Sequence, residues 1–333
     1  MEFAFSREQA ELASTVRSLL DKRADSAAVR AAMTSDTGFD ESLWATLCEQ
    51  IGVAALMVPE DHDGVGASFF ETAIVLEELG RSLAPSPLLA TTVATAALLA
   101  GGTDDGKERL LPRIAAGEIA TLVPNRCDVG DGSTLDGAAS ILLAVVDGDL
   151  VEVEPGTAEV RAVGSMDQTI RLAEVDLASA TTAVVGDGAA AAAAARSTSE
   201  AACAALAVGL CDRALRMTVD YSKERVQFGR PIGSFQALKH RMAEMLVQLE
   251  LARSASWAAS YAVSRRTEDA EQLAHAAAAT ALSAAAHLAG ECVQLHGGIA
   301  ITWEHDAHLV LKRAHALAQL AGPPHRHRAA VAL

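Results

Sequence analysis

Aromatic residues are scarce, at 4% of 333 residues, with three tryptophans and two tyrosines. A core short of large rings must be filled by aliphatics and by small side chains that let backbones approach. The abundant alanine runs suit that role, and alanine is the best helix former. Basic residues are also short: 27 Lys and Arg stand against 43 Asp and Glu, a net charge of -16. This excludes a broad nucleic-acid surface, which needs clustered cations to neutralise phosphate. An anionic small ligand still needs only a local basic spot. The five cysteines (Cys48, Cys127, Cys203, Cys211, Cys292) form no C-x-x-C pair. The N-terminal residues show no basic start followed by an apolar run. Both observations predict a cytoplasmic protein with free thiols. The most apolar stretch, residues 83–100, contains Pro85, Pro87 and several threonines, so it reads as a buried helix and no membrane span is predicted. No G-x-G-x-x-G follows a strand and no P-loop occurs, which leaves no nicotinamide or nucleoside-triphosphate fingerprint. No Ser/His/Asp triad can be placed.

What is present divides into three textures. Half the residues are hydrophobic and 21% are charged, a globular composition. Residues 1–118 read as helices. Ser6 is a candidate N-cap, Leu12, Val16, Leu19 and Leu20 form a stripe, Leu43, Leu47 and Ile51 mark a second helix, and residues 69–80 form a third, stopped by Gly80. Residues 119–188 carry short β-rich runs at 141–146, 150–153, 159–163 and 170–175. Asp131-Gly132, Asp136-Gly137 and Asp147-Gly148 punctuate them, the last as a hairpin turn. Residues 189–333 return to helix, with Phe235, Leu238, Met242, Met245 and Leu249 stepping by three and four. The predicted fold is mainly α with a small central β domain: an N-terminal helical domain, a reduced β domain and a C-terminal four-helix bundle.

Two motifs stand out. The first runs from Tyr221 through Arg225, Gln227, Phe228, Gly229 and Arg230 to Ile232. It reads as a helix end that turns at Gly229, with Arg225 and Phe228 three apart on one face. A guanidinium beside a ring suits a dinucleotide, the cation for pyrophosphate and the ring for flat packing. The plain alternative is a helix–turn–helix with a surface arginine. The second motif is Gln294-Leu295-His296-Gly297-Gly298, followed by Trp303-Glu304-His305-Asp306. Two glycines let backbone pass close to a ligand, and the Gln294 amide can bond it. Here the plain alternative is a helix C-cap.

In combination, and with Leu56-Met57-Val58-Pro59-Glu60, Gly64, Gly66 and Glu77-Glu78-Leu79-Gly80-Arg81, these motifs resemble the acyl-CoA dehydrogenase family over residues 3–320. The resemblance implies FAD as cofactor, an acyl-CoA as substrate and an electron-transfer flavoprotein-type acceptor. It assigns the grip on the ADP half of FAD, across a subunit interface, to Arg225, Phe228, Gln294, Gly297 and Gly298, with Gln227 as a weaker addition.

The chain departs from the family pattern where the catalytic base belongs. One family position for the glutamate aligns with Ser199, leaving Glu200 one residue off register and rotated by about 100°. The other falls in Ala321-Gly322-Pro323-Pro324, which has no carboxylate. The family's Thr-Glu-Pro run is replaced by residues 122–128, which keep only Pro124. The pattern resembles one subunit of bacterial α2β2 members that degrade steroid side chains, in which an unlike partner supplies the base. Two alternatives stay open: a self-sufficient homomeric dehydrogenase using Glu200, and a non-catalytic structural subunit. The late histidines (His305, His308, His315, His325, His327) lack an accompanying ligand set, so no metal site is predicted and they read as a solvated face and tail. Glu77-Glu78 reads as a solvated helix face, Asp104-Asp105 as a loop pair, and Trp44 and Trp257 as core.

Overall fold

The computed structural model describes residues 4–123, 133–135 and 139–331. The helix α1 (Arg7–Arg23) opens on a reciprocal capping box between Ser6 and Gln9, and buries Val16 and Leu20. After α2 (Ser26–Thr34), α3 (Glu41–Thr46) runs into a single π turn, Leu47–Ile51, which ends at Gly52 with φ +74°. The helix α4 (Phe69–Ser82) is boxed by Ser68 and Glu71. It does not stop at Gly80 but continues to a left-handed Leu83 with φ +62°.

Gly80 serves packing instead. α4 crosses α7 (Gly188–Glu224) so closely that a Cβ on Gly80 would lie 2.1 Å from the Leu206 carbonyl oxygen. A Cβ on Gly209 of α7 would lie 1.8 Å from the Glu77 carbonyl oxygen. Both glycines are there because two backbones touch. The predicted apolar helix is α5 (Leu88–Gly101), buried nearly all round. Asp104 and Asp105 are not a loop pair. They form the first turn of α6 (Asp104–Ala115), capped by Thr103, where negative charge suits the helix dipole.

The β module comprises β1 (Ala120–Val123), β2 (Ser133–Leu135), β3 (Ile141–Val146), β4 (Asp149–Val153), β5 (Glu159–Val163), β6 (Leu172–Asp176) and β7 (Thr182–Asp187). One sheet has the order β1-β3-β4-β7 and the other β2-β6-β5. The predicted hairpin is present: Asp147 and Gly148, both at positive φ, join β3 to β4, with Val146 opposite Asp149. The other two Asp-Gly pairs, Cys127 and the Pro124–Asp128 segment lie outside the described residues.

The C-terminal bundle is α7, α8 (Gln236–Arg265), α9 (Ala270–His296) and α10 (Ala307–Leu320), followed by the short α11 (Pro324–Ala330). Among the described residues α9 alone is long and apolar enough to cross a membrane. Its apolar surface is spent in the bundle: Ala277, Ala278, Ala281, Leu282, Ala285 and Leu288 are buried. Small side chains thus replace the missing aromatics by drawing helices together.

The acid pair at the start of the Glu-Glu-Leu-Gly-Arg run is not solvated either. Glu78 is 3% exposed and paired with Arg17 at 2.6 Å and Arg81 at 2.8 Å. Glu77 faces Arg253 of α8 at 3.4 Å, and its carboxyl is pushed above the usual range, chiefly by burial. Trp44 is core, whereas Trp257 is half-buried and tilted over Phe5 at 4.4 Å between centroids.

Candidate functional site

The two motifs meet at one end of the bundle. α7 ends at Glu224, and Arg225 is its C-cap, with extended backbone. The chain then forms a two-strand hairpin, β8 (Val226–Gln227) with β9 (Arg230–Pro231), turning through Phe228 and Gly229 at φ +54° and +78°. Arg225 and Phe228 therefore do not share a helical face: the helix stops before the spacing of three can act. One turn back on α7, the Tyr221 ring stacks on His296 of α9 at 4.4 Å, and His296 lies 4.5 Å from His305. This ring stack brings the end of α7 against the Gln294–Gly298 turn.

The side chains of this end point outward. Phe228 is 91% exposed although it is a large apolar ring held at a positive φ. Phe235 meets it edge-on at 6.1 Å, and Arg230 lies 4.1 Å over the Phe235 ring. Arg225, Gln227 and Gln294 are exposed, and the Gln227 amide donates only to the neighbouring Val226 carbonyl. Gly297 caps α9 at φ +65°, and beyond it Ile301 and Trp303 stand open to solvent. At Gly229, Gly297 and Gly298 a Cβ would meet nothing within 4 Å, so the backbone there is open to close approach, while the Gly297 amide itself donates to the Gln294 carbonyl. An open groove of about 330 Å³ adjoins the hairpin, lined by Val219, Ser222, Lys223, Pro231, Gly233 and Met242, and the buried Ser222 hydroxyl has no partner in it. The late histidines are not one solvated group. His315 and His325 are exposed, His305 joins the ring stack, His308 packs edge-on to Trp303 at 4.6 Å, and His327 is buried.

Where the β module meets the bundle, the arrangement is the reverse. The cavity between Leu76, Leu79, Leu89, Thr169, Leu206 and Arg313 holds about 40 Å³, room for a few waters only. A buried knot closes it. The Arg313 Nε of α10 donates to Asp167 Oδ2 at 2.7 Å and to Thr169 Oγ1 at 2.9 Å, while Nη2 donates to the Thr169 carbonyl at 3.0 Å. Arg313 is 3% exposed and Asp167 is fully buried. Arg171 also donates to the Ser35 carbonyl, tying the β module to the N-terminal helices.

Glu200 does not look into this cavity. On α7 it is Leu206 that lines the cavity, while Glu200 turns to His275 of α9, at 2.8 Å, and His327 of α11, at 3.9 Å. Burial pushes its carboxyl up to about 8. Sequence reasoning missed both histidine contacts, because residues 75 and 127 positions away carry no local signal.

The geometry stands beside clear relatives. The family model for the acyl-CoA dehydrogenase N-terminal domain matches residues 6–118, and that for the C-terminal domain matches residues 186–332. The chain is 46% identical over 318 residues to acyl-CoA dehydrogenase IpdE2 of Mycobacterium tuberculosis, covering 95% of this chain and 94% of that protein. A solved structure of the Tcur3481-Tcur3483 steroid ACAD superimposes with a TM-score of 0.89 at 25% identity, covering 97% of this chain and 96% of the other. The ChsE4-ChsE5 complex from Mycobacterium tuberculosis superimposes with the same TM-score at 23% identity, covering 99% and 97%, and shows the shared fold. Its helical ends, its small β module and its relatives agree: this chain belongs to the acyl-CoA dehydrogenase family.

Proposed function

We propose that this chain is the ADP-gripping subunit of a hetero-oligomeric acyl-CoA dehydrogenase, in which an unlike partner carries the base and most of the acyl pocket. The contrast in access carries this reading: Phe228, Arg225 and Gln294 are presented to solvent, whereas the chain's own cavity is too small for an acyl group, which needs hundreds of Å³. The residues present suit one half of FAD. The Arg225 guanidinium would pair with pyrophosphate, the Gln227 and Gln294 amides would hydrogen-bond to it or to ribose, Phe228 would pack flat, and Gly297 and Gly298 would let backbone approach. FAD when bound supplies the hydride acceptor for α,β-dehydrogenation. Nothing comparable among the described residues is open around the 40 Å³ cavity, where Arg313 fills the space.

The three-part division at residues 118 and 188 gives each part a task. The N-terminal helices and the β module close the cleft, and the bundle presents the grip. The substrate is an acyl-CoA, and a steroid-derived acyl group is favoured by the likeness to the steroid ACAD structure. An electron-transfer flavoprotein-type acceptor would reoxidise the flavin. We place the chain in the cytoplasm, in keeping with its unpaired Cys48, Cys203, Cys211 and Cys292. The homomeric reading through Glu200 is disfavoured by that side chain's direction, and the purely structural reading by the retained grip. The test is to purify the chain alone and co-expressed with an unlike acyl-CoA dehydrogenase chain that carries the glutamate base. FAD per chain and acyl-CoA-dependent reduction of an artificial acceptor are then measured. Both should appear only in the complex; a yellow, active homo-oligomer would overturn the reading.

A further inference from the structure

Outside the grip and the closed cleft, one buried cluster has no role in the dehydrogenation. Glu200, His275 and His327 come from three helices, α7, α9 and α11, and one ligand atom from each converges so that all lie within 4.8 Å of one another. Glu200 and His327 are each 4% exposed, while His275 is only half-buried. We propose that these residues form a binding site for a zinc-class divalent cation, which staples the last helix, α11, to the bundle. The proposal does not depend on the flavin reading.

Four observations support it. The separations are 2.8 Å from Glu200 Oε2 to His275 Nδ1, 3.2 Å between the two Nδ1 atoms, and 3.9 Å from His327 Nδ1 to Glu200 Oε1. Ligands about 2.0–2.1 Å from a tetrahedral zinc stand roughly 3.3–3.4 Å from one another, so the two Nδ1 atoms are near that spacing, and the carboxylate approaches the two rings through different oxygens. The His327 ring is also oriented as a ligand: its Nε2 lies 3.1 Å from the Gly322 carbonyl oxygen and donates to it, which leaves the Nδ1 lone pair facing the cluster. Glu200 Oε2 is buried without a hydrogen-bond donor, because the His275 ring near it is not aligned to donate. A carboxylate left so is costly, and a cation would satisfy it. Finally, two imidazoles and one carboxylate make a donor set that suits zinc and leaves a fourth position for water, and the exposed edge of His275 gives a route in. Beyond the cluster, Arg196 favours the ionised form of Glu200 and Glu271 opposes it.

The experiment uses the co-purified complex, stripped with chelator, desalted and titrated with Co2+. Saturation at one ion per chain is expected, with the visible d–d absorption of a four-coordinate site and displacement by Zn2+. Glu200→Gln keeps size and should weaken Co2+ binding by at least the ~10–100-fold that loss of even an outer-shell partner costs. His275→Gln, at a half-buried position, is the second variant and should do the same if His327 changes prove unfoldable. Arg225→Ala should bind Co2+ like the parent, so a fault in the flavin reading cannot imitate a fault in this one. Absence of the absorption band overturns the site and leaves a triad sharing a proton. A band that survives both cluster variants overturns it too, and points to adventitious binding at the exposed His315 and His325.

Discussion

The two ends of the C-terminal bundle solve opposite problems. At the α7–α9 end, an arginine, a phenylalanine and a glutamine are held in the open, on a hairpin and a helix cap with positive φ at Phe228 and Gly297. At the cleft under the β module, an arginine and an aspartate are sealed away from water, and every Arg313 contact named above is internal. The same residue type thus stands open to solvent in one place and serves as a structural plug in the other. What separates them is solvent access: the exposed end is the one the proposed function leaves for a partner to complete, and the buried one is satisfied internally.

That contrast can be broken most directly at the buried end. Arg313→Ala would leave Asp167 charged and unpaired at zero exposure, and should destabilise the chain by about 3–5 kcal/mol. A combined Arg313→Met and Asp167→Leu change should recover most of that loss. Thermal melts of the purified complex decide, and a melt unchanged in the single variant would show the cleft to be wet and open.

Next in size is Asp306, which joins three elements by accepting from Ser26 at 2.7 Å, Arg30 at 2.6 Å and Arg213 at 2.9 Å. Burial works to raise its pKa, but these partners outweigh burial and hold it below the ordinary aspartate value. Its stabilising contribution is therefore complete above the unfolded value near 3.8 and is lost as pH falls through the lower folded value. Asp306→Asn should cost about 2–3 kcal/mol at neutral pH, a partly exposed pair being worth less than a sealed one. It should also flatten the acid limb of a stability-versus-pH curve. An unaltered acid limb would move that dependence to another carboxylate.

At the exposed end the sign of the comparison reverses. Arg225→Ala should leave the melting temperature of the isolated chain within error, yet weaken FAD retention by about 1.5–3 kcal/mol, roughly 10- to 150-fold. Flavin absorbance of the gel-filtered complex measures it, and retained FAD would remove Arg225 from the grip. The smallest effect is expected at the hairpin turn. Phe228→Gly should stabilise the isolated chain by up to about 1 kcal/mol, because a non-glycine residue at positive φ is strained. It should at the same time lower flavin content. Stability and flavin content falling together would mean that Phe228 packs against its own chain instead.

How much of this was legible in the sequence follows from the range of each signal. The Ser6 N-cap, the Asp147-Gly148 turn and the apolar stripes are local, and they place the α1 start, the β3–β4 hairpin and the bundle helices correctly. Motif order along the chain was enough for the family. Whatever depended on distant partners was misread. Glu77 and Glu78 looked solvated because Arg17 and Arg253 lie 61 and 176 residues away. The late histidines looked like one group because their neighbours in space, Tyr221, Trp303 and Glu200, belong to separate elements. Gly80 was taken for a stop signal, since a helix-ending glycine and a helix-crossing glycine look alike until the second helix is in place.

That crossing has a consequence for anyone who would cut the protein apart. At Gly80 and Gly209 two main chains touch with no side chain between them, so there is no removable layer at the junction. Residues 188–331 expressed alone would present a bare strip of helix backbone to water along α7, flanked by the alanines that α4 and α5 now cover. Even one added methyl group at either glycine would wedge the two halves apart. The C-terminal bundle is therefore not a portable cassette: the N-terminal helices are its scaffold and must travel with it.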